Sequence, residues 1–102
     1  MTREDAIKAL DRCRQQIDAL DLRILELLNQ RAGIVEQIGH IKKSAEMPIY
    51  EPKREDQVFQ NVMAHNAGPL AHDAVKRVYE RIIDEMRKVQ RDRMEADKKQ
   101  CL

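Results

Sequence analysis

The chain has 102 residues, of which 36% are charged and 3% are aromatic, and it contains only 3 glycines and 3 prolines. So few turn-forming residues exclude the β-sandwich and β-barrel classes, which need many turns. The formal net charge of +1 excludes recruitment of nucleic acid or of an anionic membrane by the overall field. About a quarter of the residues are Leu, Ile, Val or Phe, so a core can form, and the small size favours a self-associating helical protein.

The sequence contains no apolar run of the length that a transmembrane helix or a signal peptide needs. The two cysteines, Cys13 and Cys101, lie near opposite ends of the sequence. Neither they nor the histidines His40, His65 and His72 show the spacing of metal ligands. We therefore expect a cytoplasmic, reduced protein that has no structural metal and no membrane partner.

Two short segments break the helical pattern. Residues 47–52 contain two prolines, and residues 66–69 read Asn-Ala-Gly-Pro, a combination typical of a helix stop. Three helices are predicted around these breaks, at about 2–44, 52–66 and 70–96. We expect residues 1–102 to form one helical domain, with the mostly polar residues 91–102 as a frayed tail.

The first predicted helix carries a wide apolar stripe at coiled-coil spacing. Its members occupy two heptad columns and a flanking column: Ile7, Leu10, Cys13, Ile17, Leu20, Ile24, Leu27, Leu28, Ile34, Val35, Ile38 and Ile41. A stripe of this length needs a partner along most of the helix. Beside the stripe, the missing side chain of Gly39 would allow another element to approach closely.

The second and third predicted helices each carry one apolar stripe. Pro52 stands at a plausible first helical position, and the apolar residues that follow are Val58, Phe59, Val62, Met63, Val75, Val78, Tyr79, Ile82, Ile83, Met86 and Val89. Both helices can pack on the long helix, but they are too short to cover it. The charged residues from 87 to 99 are interpreted as a solvated face and tail.

Three cations interrupt the apolar stripe of the first helix, namely Arg14, Arg31 and Lys42. A desolvated charge is costly unless it is paired. Each long side chain could reach solvent on its own, and Asp21 could neutralise one of them. Three cations against one acid nevertheless predict an anionic ligand, and arginine suits a carboxylate or a phosphate in particular.

The spacing of these cations predicts a homodimer. Arg31 and Lys42 lie on one helix face about 16 Å apart, whereas Arg14 is about 25 Å from Arg31. An antiparallel second copy would bring its own Arg14 to the other two cations and so form two equivalent sites. Three further polar residues can converge on the same site: Arg54, Glu55 and Gln90.

At these positions the sequence resembles the all-helical chorismate mutases. The resemblance covers roughly residues 7–93, and its first part is the run Arg-Gln-Gln-Ile-Asp-Ala-Leu-Asp at residues 14–21. Its second part is the run Ile-Tyr-Glu-Pro-Lys-Arg-Glu at residues 49–55. The remaining matching residues are Leu25, Leu27, Leu28, Arg31, Gly39, Lys42, Tyr79, Ile82, Ile83 and Gln90.

The resemblance implies an all-α, intertwined homodimer with three helices per chain, the first very long. It also implies conversion of chorismate to prephenate in phenylalanine and tyrosine biosynthesis, with no cofactor and no metal. By position, Arg31 and the Arg14 of the second copy would bind the two carboxylates of the substrate. Lys42 and Gln90 would donate to the ether oxygen, and Lys42 would also touch a carboxylate.

Two acidic residues complete the site that the resemblance implies. Glu55 would accept a hydrogen bond from the ring hydroxyl of the substrate. Glu51 stands where the family commonly has Asp, so its contact with the substrate, partly through backbone, would be longer. Met86 stands where members often have a small hydroxyl residue, which removes one polar contact near a carboxylate.

The reaction itself is a [3,3] rearrangement, which needs no nucleophile and no proton transfer. An enzyme can contribute by holding the compact conformer and by placing positive potential where the breaking C–O bond gathers negative charge. Two alternatives remain from the sequence. An isochorismate-pyruvate lyase shares the fold and most of the ligands, and a helical dimerisation or regulatory module could bind a small dianion without turnover.

Overall fold

The computed structural model describes residues 1–100, and three α-helices account for most of them. These helices are α1 (Arg3–Ser44), α2 (Pro52–His65) and α3 (His72–Gln100). The predicted all-α fold class, with one very long first helix, is confirmed. No helix in this described part of the chain is long and apolar enough to cross a membrane. Cys101 lies outside the described residues.

The chain divides into two compact units, Met1–Gly33 and the remainder from Ile34 onward. The first unit is the N-terminal part of α1. It begins with a capping box, in which the Thr2 hydroxyl accepts a hydrogen bond from the Asp5 amide at 3.1 Å and the Asp5 carboxylate accepts one from the Thr2 amide at 3.4 Å. These two bonds satisfy backbone donors that the first helical turn leaves without a partner.

The apolar stripe of the first unit is exposed. None of the residues 1–33 is buried. Six Leu and Ile side chains of the stripe are between 50% and 60% exposed: Ile7, Leu10, Ile17, Leu20, Ile24 and Leu27. Monomeric proteins rarely expose a contiguous apolar surface of this kind, so the stripe has the character of an interaction surface.

The second unit has a small core of its own. The C-terminal turns of α1 contribute Val35 to it, and α3 contributes Val75, Ile83 and Met86, which are all buried. A surrounding layer of apolar side chains is half-buried: Val58, Phe59, Val62, Met63, Tyr79, Ile82 and Val89. The burial of these residues agrees with the stripes predicted on α2 and α3, except that Val78 of the predicted α3 stripe is 51% exposed.

Helix α1 ends in a Schellman motif that turns the chain back on itself. The Met47 amide donates to the Lys42 carbonyl at 2.8 Å, and the Glu46 amide donates to the Lys43 carbonyl at 3.3 Å. Glu46 adopts the left-handed conformation, with φ of 56°, which this motif requires and which glycine would adopt with less strain. The motif directs residues 47–51 toward the last turn of α1.

Helix α3 continues through Gln100, across the polar residues 91–100 that were predicted to be part of a frayed tail. A buried carboxylate lies near the end of this helix. Asp97 is buried, and its carboxylate lies 2.7 Å from the His40 ring and 3.2 Å from the Arg93 guanidinium. A side chain of α1 thus contacts the last turns of α3. The polar composition of these turns did not indicate this contact.

At Gly39, helix α1 lies close to helix α3. A Cβ atom added there would lie 3.1 Å from the Gln90 carbonyl oxygen and 3.3 Å from the Gln90 Cα atom. Both of these are backbone atoms, so a rotamer change cannot make room. The glycine predicted to allow a close approach therefore lies against the backbone of a predicted site residue.

We predict opposite effects from alanine at the two glycines of α1. Gly33→Ala should raise the free energy of unfolding by up to about 1 kcal/mol, because Gly33 has open space around it and alanine favours the helix. Gly39→Ala should lower it, because overpacking costs roughly 1–3 kcal/mol and outweighs the same helical gain. Urea unfolding of both variants at one protein concentration measures the difference. Equal stabilisation by both substitutions would contradict the close approach.

Candidate functional site

The centre of the candidate site is the ammonium group of Lys42, in the last turn of α1. Lys42 is only 5% exposed. Its Nζ atom lies 2.7 Å from the Glu51 carboxylate, 3.0 Å from the Ile49 carbonyl oxygen and 3.0 Å from the Gln90 side-chain oxygen. An ammonium group has three hydrogens to donate, and these three oxygens use all of them.

The bond from Lys42 fixes the orientation of the Gln90 amide. Because lysine can only donate, the Gln90 oxygen must face it, and the amide nitrogen of Gln90 remains as a donor for another group. Gln90 is half-buried, on the segment of α3 that contacts Gly39. The close helix approach therefore positions the backbone of Gln90, and Lys42 positions its side chain.

Glu51 pairs with Lys42 instead of capping α2. It occupies the position before Pro52, where a side chain would ordinarily cap the helix, but it makes no side-chain cap hydrogen bond. Its carboxylate lies against the Lys42 ammonium, and its side chain is 46% exposed. Of the three oxygens around Lys42, the Glu51 carboxylate is the one that belongs to an exposed residue.

Glu55, one turn into α2, is held by Arg87 of α3. The Arg87 Nε atom donates to one carboxylate oxygen at 2.8 Å, and its Nη2 atom donates to the other at 2.7 Å. These hydrogen bonds lower the pKa of Glu55, and the charges of Arg87 and Lys42 act in the same direction. Partial burial and the nearby Asp84 carboxylate oppose the lowering of that pKa but do not cancel it.

The structure joins some of the sequence-predicted residues directly. Lys42, Glu51 and Gln90 form one hydrogen-bonded cluster, and Glu55 is bonded to Arg87. Arg14 and Arg31 belong to the first unit, in which Arg14 is exposed and Arg31 is half-buried. The binding of a carboxylate by these two arginines stays a prediction.

Two members of the site were not predicted from the sequence. The Ile49 carbonyl is a backbone acceptor, and it reaches Lys42 only because of the turn that ends α1. Arg87 was grouped with the solvated charges of α3, whereas it joins α3 to α2 through Glu55. One feature of the sequence could have indicated this position. Arg87 precedes Gln90 by three residues and therefore lies on the same side of α3 as Gln90.

The donor set suits binding of a small anion better than it suits nucleophilic or metal chemistry. A buried ammonium and an oriented amide nitrogen can stabilise negative charge that develops on an oxygen atom. Among residues 1–100, no group of three or more His, Cys, Asp or Glu side chains could hold a metal ion. Fold and site together define an all-α protein in which a buried ammonium lies beside an oriented side-chain amide.

Residues 13–91 match the chorismate mutase type II family, and the chain belongs to that family. Among related sequences, the bifunctional chorismate mutase/prephenate dehydratase of Aquifex aeolicus is 36% identical over an alignment of 81 residues that covers 76% of this chain and 22% of that protein. The chorismate mutase of Methanocaldococcus jannaschii is 30% identical over 56 residues, which are 55% of this chain and 57% of that protein.

Two solved structures share the fold. The chorismate mutase from Helicobacter pylori in complex with prephenate has a TM-score of 0.80 and 31% identity, over 86% of this chain and 96% of that one. Form II of the chorismate mutase from Thermus thermophilus has a TM-score of 0.77 and 28% identity, over 84% of this chain and 94% of that one. By contrast, the chain spans about a fifth of the length of the bifunctional relatives that it matches.

Proposed function

We propose that the chain is a chorismate mutase, an isomerase that converts chorismate to prephenate. The observation that carries the proposal is the buried Lys42 ammonium beside the oriented amide of Gln90, in a member of this family. The similarity to a chorismate mutase whose structure contains prephenate supports the substrate class. We propose that residues 1–102 act as one catalytic domain in phenylalanine and tyrosine biosynthesis.

In the proposed mechanism, Lys42 and the Gln90 amide nitrogen donate to the ether oxygen of chorismate. That oxygen gains negative charge as the C–O bond breaks, so donors aimed at it stabilise the transition state more than the ground state. The three donor hydrogens of Lys42 are already engaged with Ile49, Glu51 and Gln90. Substrate binding therefore exchanges at least one of these acceptors, and the exposed Glu51 carboxylate is the first that we expect to move.

The remaining contacts follow from the family resemblance. We propose that Arg31 and the Arg14 of a second copy bind the two carboxylates and hold the substrate in its compact conformer. Glu55 accepts a hydrogen bond from the ring hydroxyl, and Glu51 contributes a contact partly through its backbone. The site needs no cofactor, because the rearrangement involves neither electron nor proton transfer to the protein.

The proposed assembly is an intertwined homodimer. Its support is the exposed apolar stripe on residues 1–33, which a second antiparallel copy of α1 would cover. Such a dimer has two equivalent sites by symmetry. The proposal includes a cytoplasmic location, which the widely separated cysteines of the sequence favour.

The direct test of the proposed activity is incubation of the purified protein with chorismate and, separately, with isochorismate. We expect chorismate to disappear and prephenate to accumulate as the product. Release of pyruvate from isochorismate without prephenate formation would favour the lyase. Lack of turnover of either substrate by a folded protein would refute the proposal and favour a non-enzymatic dimerisation or regulatory module.

Lys42 and Gln90 should affect the chemical step more than substrate binding. Loss of one donor of this kind typically lowers kcat by on the order of 100- to 1000-fold. Lys42→Ala should be at least that severe, because it also removes a carboxylate contact, whereas Gln90→Ala should lower kcat with a smaller change in KM. Steady-state kinetics measures both constants. A Gln90→Ala variant that changes only KM would contradict the role of the amide.

Gln90→Glu should make the activity depend on pH. A glutamate at position 90 can donate to the ether oxygen only when its carboxyl group is protonated, so activity should rise as the pH falls toward and below about 5. Gln90→Ala, which cannot titrate, serves as the control. A pH profile of Gln90→Glu with the same shape as that of the wild type would exclude Gln90 as a donor to this oxygen.

Mixing two inactive variants should restore activity if each site contains the Arg14 of the other chain. In a statistical mixture of Arg14→Ala and Lys42→Ala, half of the dimers are mixed and each mixed dimer has one intact site, so about a quarter of wild-type activity should return. Light scattering should give twice the mass of one chain. Confirmed subunit exchange with activity still at the level of the single variants would contradict sites shared between chains.

A further inference from the structure

The carboxylate of Glu55 is held at both of its oxygens by one guanidinium group. Arg87 donates to them at 2.8 and 2.7 Å in a fork, and both side chains are partly buried. Two parallel bonds of this kind fix the plane of the carboxylate as well as its position. A glutamate without such a partner would distribute among several rotamers.

Arg87 is itself fixed by two further groups. Its Nη1 atom donates to the Asp84 carboxylate at 2.8 Å, one turn earlier on α3. Its guanidinium also lies over the ring of Tyr50, 5.9 Å from the centroid, in the segment between α1 and α2. The guanidinium therefore connects α3, the start of α2 and the segment that carries Ile49 and Glu51.

We propose that Arg87 is a positioning residue, which fixes the Glu55 carboxylate in the place and plane where it accepts the substrate hydroxyl. This inference rests on the proposed chorismate mutase function. The fork is compatible with substrate binding, because a carboxylate offers about four acceptor sites and Arg87 uses two of them. Arg87 thus acts through Glu55 and is not assigned a contact with the substrate.

The charges that face Glu55 give this role a pH signature. They are Arg87 and Asp84 from α3 and Lys42 from α1. The Arg87 hydrogen bonds, with the charges of Arg87 and Lys42, lower the pKa of Glu55, and the opposing charge of Asp84 does not cancel this effect. An ionised Glu55 is the form that accepts a hydrogen bond, so activity is lost as the pH falls through that lowered pKa. Without Arg87 the pKa rises, and the acid limb of the activity profile moves to higher pH.

A double-mutant cycle tests whether Arg87 acts through Glu55. It compares the wild type, Arg87→Gln, Glu55→Gln and the double variant by kcat and KM. Arg87→Gln should lower kcat/KM on the order of 10- to 100-fold, the loss typical of a misplaced group, but should cause little further loss when Glu55 is already Gln. Arg87→Lys keeps the charge but not the two parallel hydrogen bonds, so its kcat/KM should lie between those of the wild type and Arg87→Gln.

The matched control is Arg81→Gln on the same helix. Arg81 pairs with Glu85 at 2.9 Å, and its side chain is 73% exposed. This variant should keep the kinetics and the pH profile of the wild type. Arg87→Gln should instead show an acid limb at higher pH, and Arg87→Lys should keep that limb close to the wild-type position.

A carbon-13 NMR titration of the Glu55 carboxyl group follows the interaction between Arg87 and Glu55 without enzymatic turnover. The Glu55 signal is identified as the one that is missing in Glu55→Gln. Its midpoint should rise in Arg87→Gln and stay unchanged in Arg81→Gln. Additive losses in the cycle, or an unchanged Glu55 midpoint in Arg87→Gln, would overturn the positioning role even in a fully active enzyme. An inactive wild type would instead refute the proposed function, so the two failures are distinguishable.

Discussion

The buried ammonium of Lys42 is the constraint on which the second unit depends. A charge that is almost removed from water must be compensated. The chain does so with two oxygens from the segment between α1 and α2 and one oxygen from α3. These partners come from different elements, so the same charge also fixes their relative positions. Function and packing share this requirement, since the group that organises the cluster is also its strongest electrostatic feature.

Local backbone features place those oxygens around Lys42. The Schellman motif at the end of α1 turns the chain so that the Ile49 carbonyl lies close to the last turn of that helix. Pro52 begins α2 directly after Glu51. On the other side, Gly39 lets the Gln90 backbone approach α1. The first unit contrasts with this arrangement, because its apolar stripe is exposed. A second copy of the chain would cover that stripe.

Local signals predicted much of this fold from the sequence. The proline-containing breaks and the heptad pattern gave the first two helices to within a residue, and the cations within the stripe pointed to Lys42. Contacts between distant residues could not be predicted in this way. The fork between Arg87 and Glu55 and the burial of Asp97 against His40 both depend on tertiary packing, and polar composition at those positions indicated solvent exposure. The shared site between chains remains a prediction from spacing and resemblance.

The most direct measurement of the central claim is calorimetric titration with prephenate of the wild type and of Lys42→Met, a neutral variant of similar length. If the Lys42 ammonium is the organising charge of an anion site, the wild type should bind prephenate. Lys42→Met should bind it about 10- to 100-fold more weakly, the range expected for loss of a charged hydrogen bond. Circular dichroism should show the same helicity for both proteins. Equal affinity of the two folded proteins for prephenate would contradict the account.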